Sequence, residues 1–323
     1  MAERGILTIA YGAPKYLRMA RAMALSIRHY QTEEKLAVVT DAPEYFEGLY
    51  DRIIPVELGY GSGVVQKLYL DRYSPFDETL FIDSDCLLYG PTDALWSFFG
   101  SDKNFGVRSV EELTHGDSCQ GVGDFDRYLD YFGVEQIPNI KGGVYYFDNS
   151  EAAAKVFNTA RDVLERRDEA GLMAFKNAPV ADEVVFATAL TLCGIDPLPH
   201  SHSSSPVNTF LGRTDPVDLN VLEGKSSYIK RGTFTEPVVV HYGLGTQNGY
   251  HYLRDINRLE LKEAPAAELR ARARAILEYM GYWGRQKLKN IQRRVREMGL
   301  IGLLPGRVLR RLGIGDLEPV RVK

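Results

Sequence analysis

The chain has 323 residues, 45% of them hydrophobic and 11% aromatic, and a net charge of -4. That is enough apolar material for one large α/β domain with or without a small appendage, and it excludes a disordered or low-complexity chain. Its 3 cysteines lie far apart with no C-x-x-C pair, which excludes a zinc ribbon or disulfide framework and points to reduced, intracellular thiols. No apolar run is long enough for a signal peptide or a membrane span.

The elements follow in chain order. Gly5–Ala10 reads as a strand that stops at the turn Tyr11-Gly12-Ala13-Pro14. Apolar residues at helical spacing from Tyr16 to Ile27 predict a helix. Leu36–Thr40 is a second strand, and Arg52–Val56 a short edge strand because Pro55 cannot donate to a ladder. Gly59–Gly63 is a loop, Val65–Tyr73 a helix, and Thr79–Ile82 a strand that runs straight into Asp83. Near-continuous apolar strands of this kind belong to parallel sheets covered on both faces.

Further along, Asn104–Ser109 reads as a strand and Glu111–Phe132 as a long polar loop, a lid or acceptor-binding insertion. Gly142–Phe147 is a strand, Glu151–Ala170 and Asp182–Leu192 are helices, and Val238–His241 is a last buried strand. Glu263–Tyr279 is a charged amphipathic helix. A catalytic domain over residues 1–260 and a basic helical extension over 261–323 follow from this order. His200 and His202, without further ligands nearby, read as loop residues.

Chemistry concentrates at Phe81-Ile82-Asp83-Ser84-Asp85. Two carboxylates one residue apart at a strand end crowd negative charge, and a hard divalent cation relieves it. Such a cation also keeps phosphate oxygens in its shell. The pattern alone equally fits a solvated turn. Asp182, just ahead of an apolar helix, alone fits a helix cap. Lys67 alone fits a solvated charge, and Tyr11 and Tyr16 fit packing.

The ordered set of motifs resembles the retaining GT-A glycosyltransferases of the glycogenin-like family 8. It covers Leu7-Thr8-Ile9-Ala10-Tyr11 with Tyr16, Lys67-Leu68 before Asp83-Ser84-Asp85, Lys141-Gly142-Gly143-Val144, Ala181-Asp182-Glu183, and Val239-Val240-His241-Tyr242-Gly243. The resemblance implies a GT-A fold, Rossmann-like, with a mixed and mostly parallel sheet. It implies Mn2+ or Mg2+ held by Asp83, Asp85 and His241, and a UDP-sugar donor. Thr8, Ala10, Tyr11, Tyr16, Lys67, Ser84, Gly142 and Gly143 would bind the donor. Asp182 would sit by the anomeric carbon, as stabiliser of an oxocarbenium-like state or as nucleophile, and Lys67 would contact phosphate or sugar.

Two departures bear on the donor. The family's closing His-x-x-Gly-x-x-Lys-Pro-Trp has Gln247 at the Lys position and no Pro-Trp, and Lys141-Gly142-Gly143 replaces Asn-Ser-Gly. Lys141 would favour an acidic sugar or a phosphate. A nucleotidyltransferase of related fold opens with a Gly-rich basic loop, which Ala10–Lys15 is not. A non-catalytic nucleotide-sugar-binding module would not need both Asp83 and Asp85.

From Gly284 to Lys323 the chain holds 11 basic and 3 acidic residues, a charge of +8 that leaves -12 on the body. Trp283, the basic residues from Arg285 to Arg296 and the apolar stretch Leu300–Pro305 suit a helix lying on an anionic membrane. A nucleic-acid acceptor is the lesser expectation. The acceptor itself, whether glycan, lipid-linked, protein or small molecule, is open, and the expected location is cytoplasmic with peripheral membrane contact.

Overall fold

A computed structural model describes residues 2–100, 104–175, 178–212, 216–243, 245–262 and 264–297, with side chains as far as Asn290. The elements are β1 (Arg4–Ile9), α1 (Pro14–Tyr30), β2 (Leu36–Thr40), β3 (Arg52–Pro55), α2 (Leu70–Tyr73), β4 (Glu78–Ile82), β5 (Cys86–Leu88), α3 (Asp93–Phe99), β6 (Phe105–Thr114), α4 (Phe125–Phe132) and β7 (Gln136–Asp148). Then come α5 (Glu151–Glu165), α6 (Arg167–Ala170), α7 (Asp182–Cys193), β8 (Leu198–Pro199), β9 (Val207–Thr209), β10 (Val217–Asn220), β11 (Lys225–Lys230), β12 (Thr233–Thr235), β13 (Val239–His241), α8 (Tyr250–Leu261) and α9 (Ala267–Glu297). Two compact units result, Met1–Gln247 and Asn248–Lys323.

The first unit is built on a 7-stranded sheet of order β3-β2-β1-β4-β7-β6-β8. Every strand but β7 runs the same way, since β7 alone pairs antiparallel with both β4 and β6. Successive side chains on a strand face opposite ways. Leu7, Phe81 and Tyr145 therefore pack with Phe105, Phe157 and Phe186 on one face. Ile6, Leu80, Ile82 and Tyr146 pack with Met23, Ile27 and Trp96 on the other. β2 is buried along its whole length, as a strand covered on both faces must be. Pro55 ends β3 at the sheet edge.

The chain goes from β1 to β2 on one side and returns to β4 on the other, so the strand order reverses between β1 and β4. In open α/β sheets, ligands bind beyond the carboxyl ends of the strands at such a reversal. Tyr11 and Asp83 lie just past those two ends.

Several expectations need correction. Residues Gly63–Tyr69 form 3-10 turns, with α-helix only from Leu70. Val65, Gln66, Lys67 and Leu68 are all buried in succession, so no amphipathic period exists there. The stretch 111–132 is not an open lid. β6 continues to Thr114, and α4 buries Phe125, Tyr128 and Leu129 between an Asp124 cap and a left-handed Gly133. β5, β9 and β13 make a small sheet of their own, and β10–β12 another.

In the second unit, α8 packs against α9, burying Ala271 and Ala275. Buried Arg258 is clamped there between Asp255 at 2.6 Å and Glu268 at 2.7 Å. The Leu300–Pro305 stretch lies outside the described residues. Among the described residues no helix is long and apolar enough to cross a membrane.

Candidate active site

Backbone register assembles the site. β4 pairs with β7 so that Ile82 stands opposite Val144, and the Asp83 N–H donates to the Gly143 carbonyl at 3.0 Å. β13 pairs with β5 so that His241 stands opposite Cys86. The Tyr242 N–H donates to the Asp85 carbonyl at 3.0 Å and fixes that end of the turn.

The side chains then converge. His241 Nε2 lies 3.2 Å from Asp85 Oδ1 and 3.9 Å from Asp83 Oδ2. Lys67 Nζ lies 2.8 Å from Asp83 Oδ1 and 3.1 Å from Asp182 Oδ2, and donates to the Gly142 carbonyl at 3.2 Å. Tyr145 donates its hydroxyl to Asp182 Oδ2 at 3.3 Å, and Glu183 Oε1 accepts from the Gly142 N–H at 2.8 Å. Lys67, Asp83, Asp85, Asp182, Gly142, Gly143 and His241, chosen from sequence, thus form one cluster. Ser84 is the half-buried middle of its turn.

The charges set one another. Burial pushes the Asp83 carboxyl up to about 6, with Lys67 opposing and Asp85 adding. Burial would also raise Asp85, but the charge and hydrogen bond of His241 outweigh it and hold Asp85 low. For His241, burial works downward and is outweighed by Asp85 and Asp83, which raise the imidazole. For Lys67, burial again works downward, and Asp182 and Asp83 together hold the ammonium far above its usual value.

The glycines make room for these groups. A Cβ on Gly143 would come within 2.9 Å of His241 Nδ1, and one on Gly142 within 2.4 Å of the Tyr145 hydroxyl and 3.2 Å of Asp182. A Cβ on Gly243 would sit 3.1 Å from His241 Nε2.

Ligand atoms of Asp85, Cys86 and His241 lie within 4.8 Å of one another. Cys86 is a poor partner for a hard cation. It is fully buried, its thiol faces the Gly143 carbonyl at 4.0 Å, and burial pushes its pKa well up. Asp83, Asp85 and His241 offer two carboxylates and an imidazole, a donor set that a divalent cation can use.

The remaining residues named from sequence lie on β1 and on the turn and helix that follow it. Thr8 is buried and donates its hydroxyl to the Ile82 carbonyl at 2.8 Å, bolting β1 to β4. Ala10 is buried beneath the turn. The Tyr11 hydroxyl accepts from the Gly63 N–H at 2.7 Å. Tyr16 is exposed on α1 under the Lys15 ammonium. Sequence reasoning missed Tyr145 as a site residue, read only as strand. It also missed Asp41 beyond β2, whose oxygens accept from the Gly12 N–H at 3.0 and 3.1 Å. Asp41 stood in plain view as a turn residue.

No family model and no curated protein matches the chain. Solved structures do. The apo structure of the bifunctional glycosyltransferase WbbM matches at a TM-score of 0.50 and 13% identity, over 84% of this chain and 52% of that one. This is a glycosyltransferase fold. The galactosyltransferase LgtC, solved with donor and acceptor sugar analogues, matches at 0.48 and 15% identity over 75% and 87% of the two chains. GlyE of Streptococcus pneumoniae matches at 0.40 and 15% over 63% and 47%. This chain spans about half the length of the GlyE and WbbM chains it matches. At 13% identity the likeness to WbbM speaks for the fold alone.

Proposed function

We propose that the chain is a metal-dependent glycosyltransferase that moves a sugar from a UDP-sugar to an acceptor with retention of configuration. The observation that carries this reading is the convergence of Lys67, Asp83, Asp85, Asp182 and His241 at the end of β4, from stretches far apart in sequence. Asp83, Asp85 and His241 would hold Mn2+ or Mg2+. When bound, such an ion neutralises charge developing on a diphosphate leaving group. Lys67 adds a fixed positive charge at the same place. It also holds Asp182 in place through the 3.1 Å contact with its Oδ2. Lys67 and Tyr145 both donate to Asp182 Oδ2, which quiets that oxygen as a nucleophile. The carboxylate is thereby suited to stabilising positive charge at the anomeric carbon. Tyr11, Tyr16 and Asp41, around the ends of β1 and β2, would take the nucleoside.

α9 supports peripheral contact with an anionic membrane at the cytoplasmic face, and with it a lipid-linked acceptor. Leu269, Ile276, Leu277, Met280 and Trp283 are exposed along it, with Arg285, Lys287 and Lys289 following.

The test is donor hydrolysis by purified protein with Mn2+ across a panel of nucleotide-sugars. Asp85→Ala is expected to lower it at least ~100-fold. Hydrolysis unchanged in that variant would remove the metal from the reading.

A further inference from the structure

Behind the carboxylate cluster lies a second group of charges that the proposed transfer does not use. Arg108 on β6 is 1% exposed. Its Nη1 donates to the Val207 carbonyl and lies 3.1 Å from His200 Nδ1. Its Nε and Nη2 are buried without a hydrogen-bond partner, and so is the hydroxyl of Tyr228. Lys230 follows Tyr228 on the same buried face of β11. The Lys230 ammonium donates to Asn208 Oδ1, a neutral acceptor, at 2.6 Å. Val207 and Asn208 are neighbours on β9, so that strand draws Arg108 and Lys230 together.

This is a buried pair of cations whose hydrogen-bond partners are all neutral. Burial pulls Arg108 down to about 10 and Lys230 to about 8, so both stay charged at neutral pH. Burial, then Arg108, keeps His200 neutral down to about 3. Glu183 is the carboxylate that acts on Arg108, and it is already committed to the Gly142 N–H. Buried charge without a counter-charge is costly, and buried donors without acceptors add to the cost.

We propose that Arg108, Lys230 and Tyr228 form a binding site for a small oxyanion, a carboxylate or phosphate carried as a substituent of the sugar substrate. The free edge of a guanidinium matches two oxygens of such a group, the phenol supplies a third donor, and the ammonium supplies a point charge. The cluster lies within electrostatic reach of the carboxylate site, since Cys86 and Glu183 act on Arg108. Thr209, the residue after Asn208, places its hydroxyl 3.5 Å from His241 Nδ1. Arg108 stands opposite Lys141 in the β6–β7 register, one residue before Gly142. The segment from His200 to Ser205 lies against the two cations' neighbours, with His200 3.1 Å from Arg108 and 2.9 Å from Ser205, and the His202 carbonyl accepting from Asn208 at 3.0 Å. The sugar assignment rests on the glycosyl-transfer reading; the anion site does not.

The experiment is thermal melting of the full chain without metal or nucleotide. The probes are inorganic phosphate, glucuronate, glucose 6-phosphate and glucose, against sodium chloride of equal ionic strength. Phosphate at saturation is expected to raise the wild-type melting temperature by about 3–6 °C. Arg108→Met and Lys230→Met should lose the rise while melting no lower than wild type in chloride. Tyr228→Phe, which removes one hydroxyl, should weaken phosphate binding about 5-fold and guards against a failure of the others to fold. A rise with glucuronate or glucose 6-phosphate, but not glucose, supports the substrate substituent. A rise with phosphate and neither acidic sugar would overturn that assignment. No rise, or the same rise in wild type and Tyr228→Phe and whichever other variants fold, would overturn the site.

Discussion

His241 and Cys86 face each other across the antiparallel pair of β13 and β5, and this register brings the imidazole to 3.2 Å from Asp85. Neither residue is near the other in sequence. A strand slip of one residue would turn His241 to the opposite face of its strand and leave the two carboxylates without it. His241→Ala is therefore expected to weaken Mn2+ binding at least ~10-fold, read by calorimetry, with far-ultraviolet circular dichroism unchanged.

Gly143 tests the same placement from the other side. Gly143→Ala puts a methyl within 2.9 Å of His241 Nδ1, and the imidazole must move. Mn2+ affinity should fall while the melting temperature changes little. An unchanged affinity would show that His241 is not held where its contacts place it.

Proton competition gives the pH dependence. Asp83 takes up a proton near 6, raised chiefly by burial, and His241 is raised by Asp85 and Asp83 against its burial. A metal needs both groups deprotonated, so binding weakens as pH falls toward and below about 6, where Asp83 takes up its proton. Mn2+ affinity should drop at least ~10-fold between pH 7.5 and 5.5. A flat profile would separate Asp83 and His241 from the ion.

Lys67 bridges Asp83 and Asp182, and all three side chains are largely buried. Lys67→Met leaves two carboxylates without their cation and should cost about 3 kcal/mol of stability in a denaturant titration. Adding Asp182→Asn should restore part of that loss, a coupling that a double-mutant cycle measures directly.

In the second unit, the hydrogen bond from Arg258 holds Glu268 down at about 2. The depressed carboxyl contributes stability that is complete above the ordinary value of 4.5 and fades as pH falls toward 2. Glu268 is half-exposed, so Glu268→Gln should cost only about 1 kcal/mol at pH 7, a cost that shrinks as pH falls toward 2. The exposed apolar residues of α9 carry a separate expectation. The protein should sediment with vesicles containing anionic lipid, less so in high salt, and Leu277→Glu with Trp283→Glu should abolish it.

The sheet was legible because its strands are unbroken apolar runs ended by turn residues, and Asp83 was legible because it interrupts one of them. Lys67 and His241 were not legible from spacing, since the 3-10 turns before α2 bring one near Asp83 and the pairing of β13 with β5 brings the other near Asp85. A resemblance to known motifs had to supply them. α4 was hidden by the Gly and Asp residues around it, although Asp124 and Gly133 are its caps. Arg108 was invisible for a simpler reason. A charged residue in a strand is expected at the surface, and nothing local marks one that lies in the interior.

The order of the strands has a consequence for how the protein is made. A chain growing from its amino terminus has every strand of the large sheet by Pro199, while β13 is still to come. Asp83, Asp85 and Lys67 are then in place on a sheet able to form, and the imidazole is missing. The nascent chain passes through an interval in which Asp83 and Asp85 have Lys67 as their cationic neighbour, and the His241 imidazole joins them only once β13 has been made.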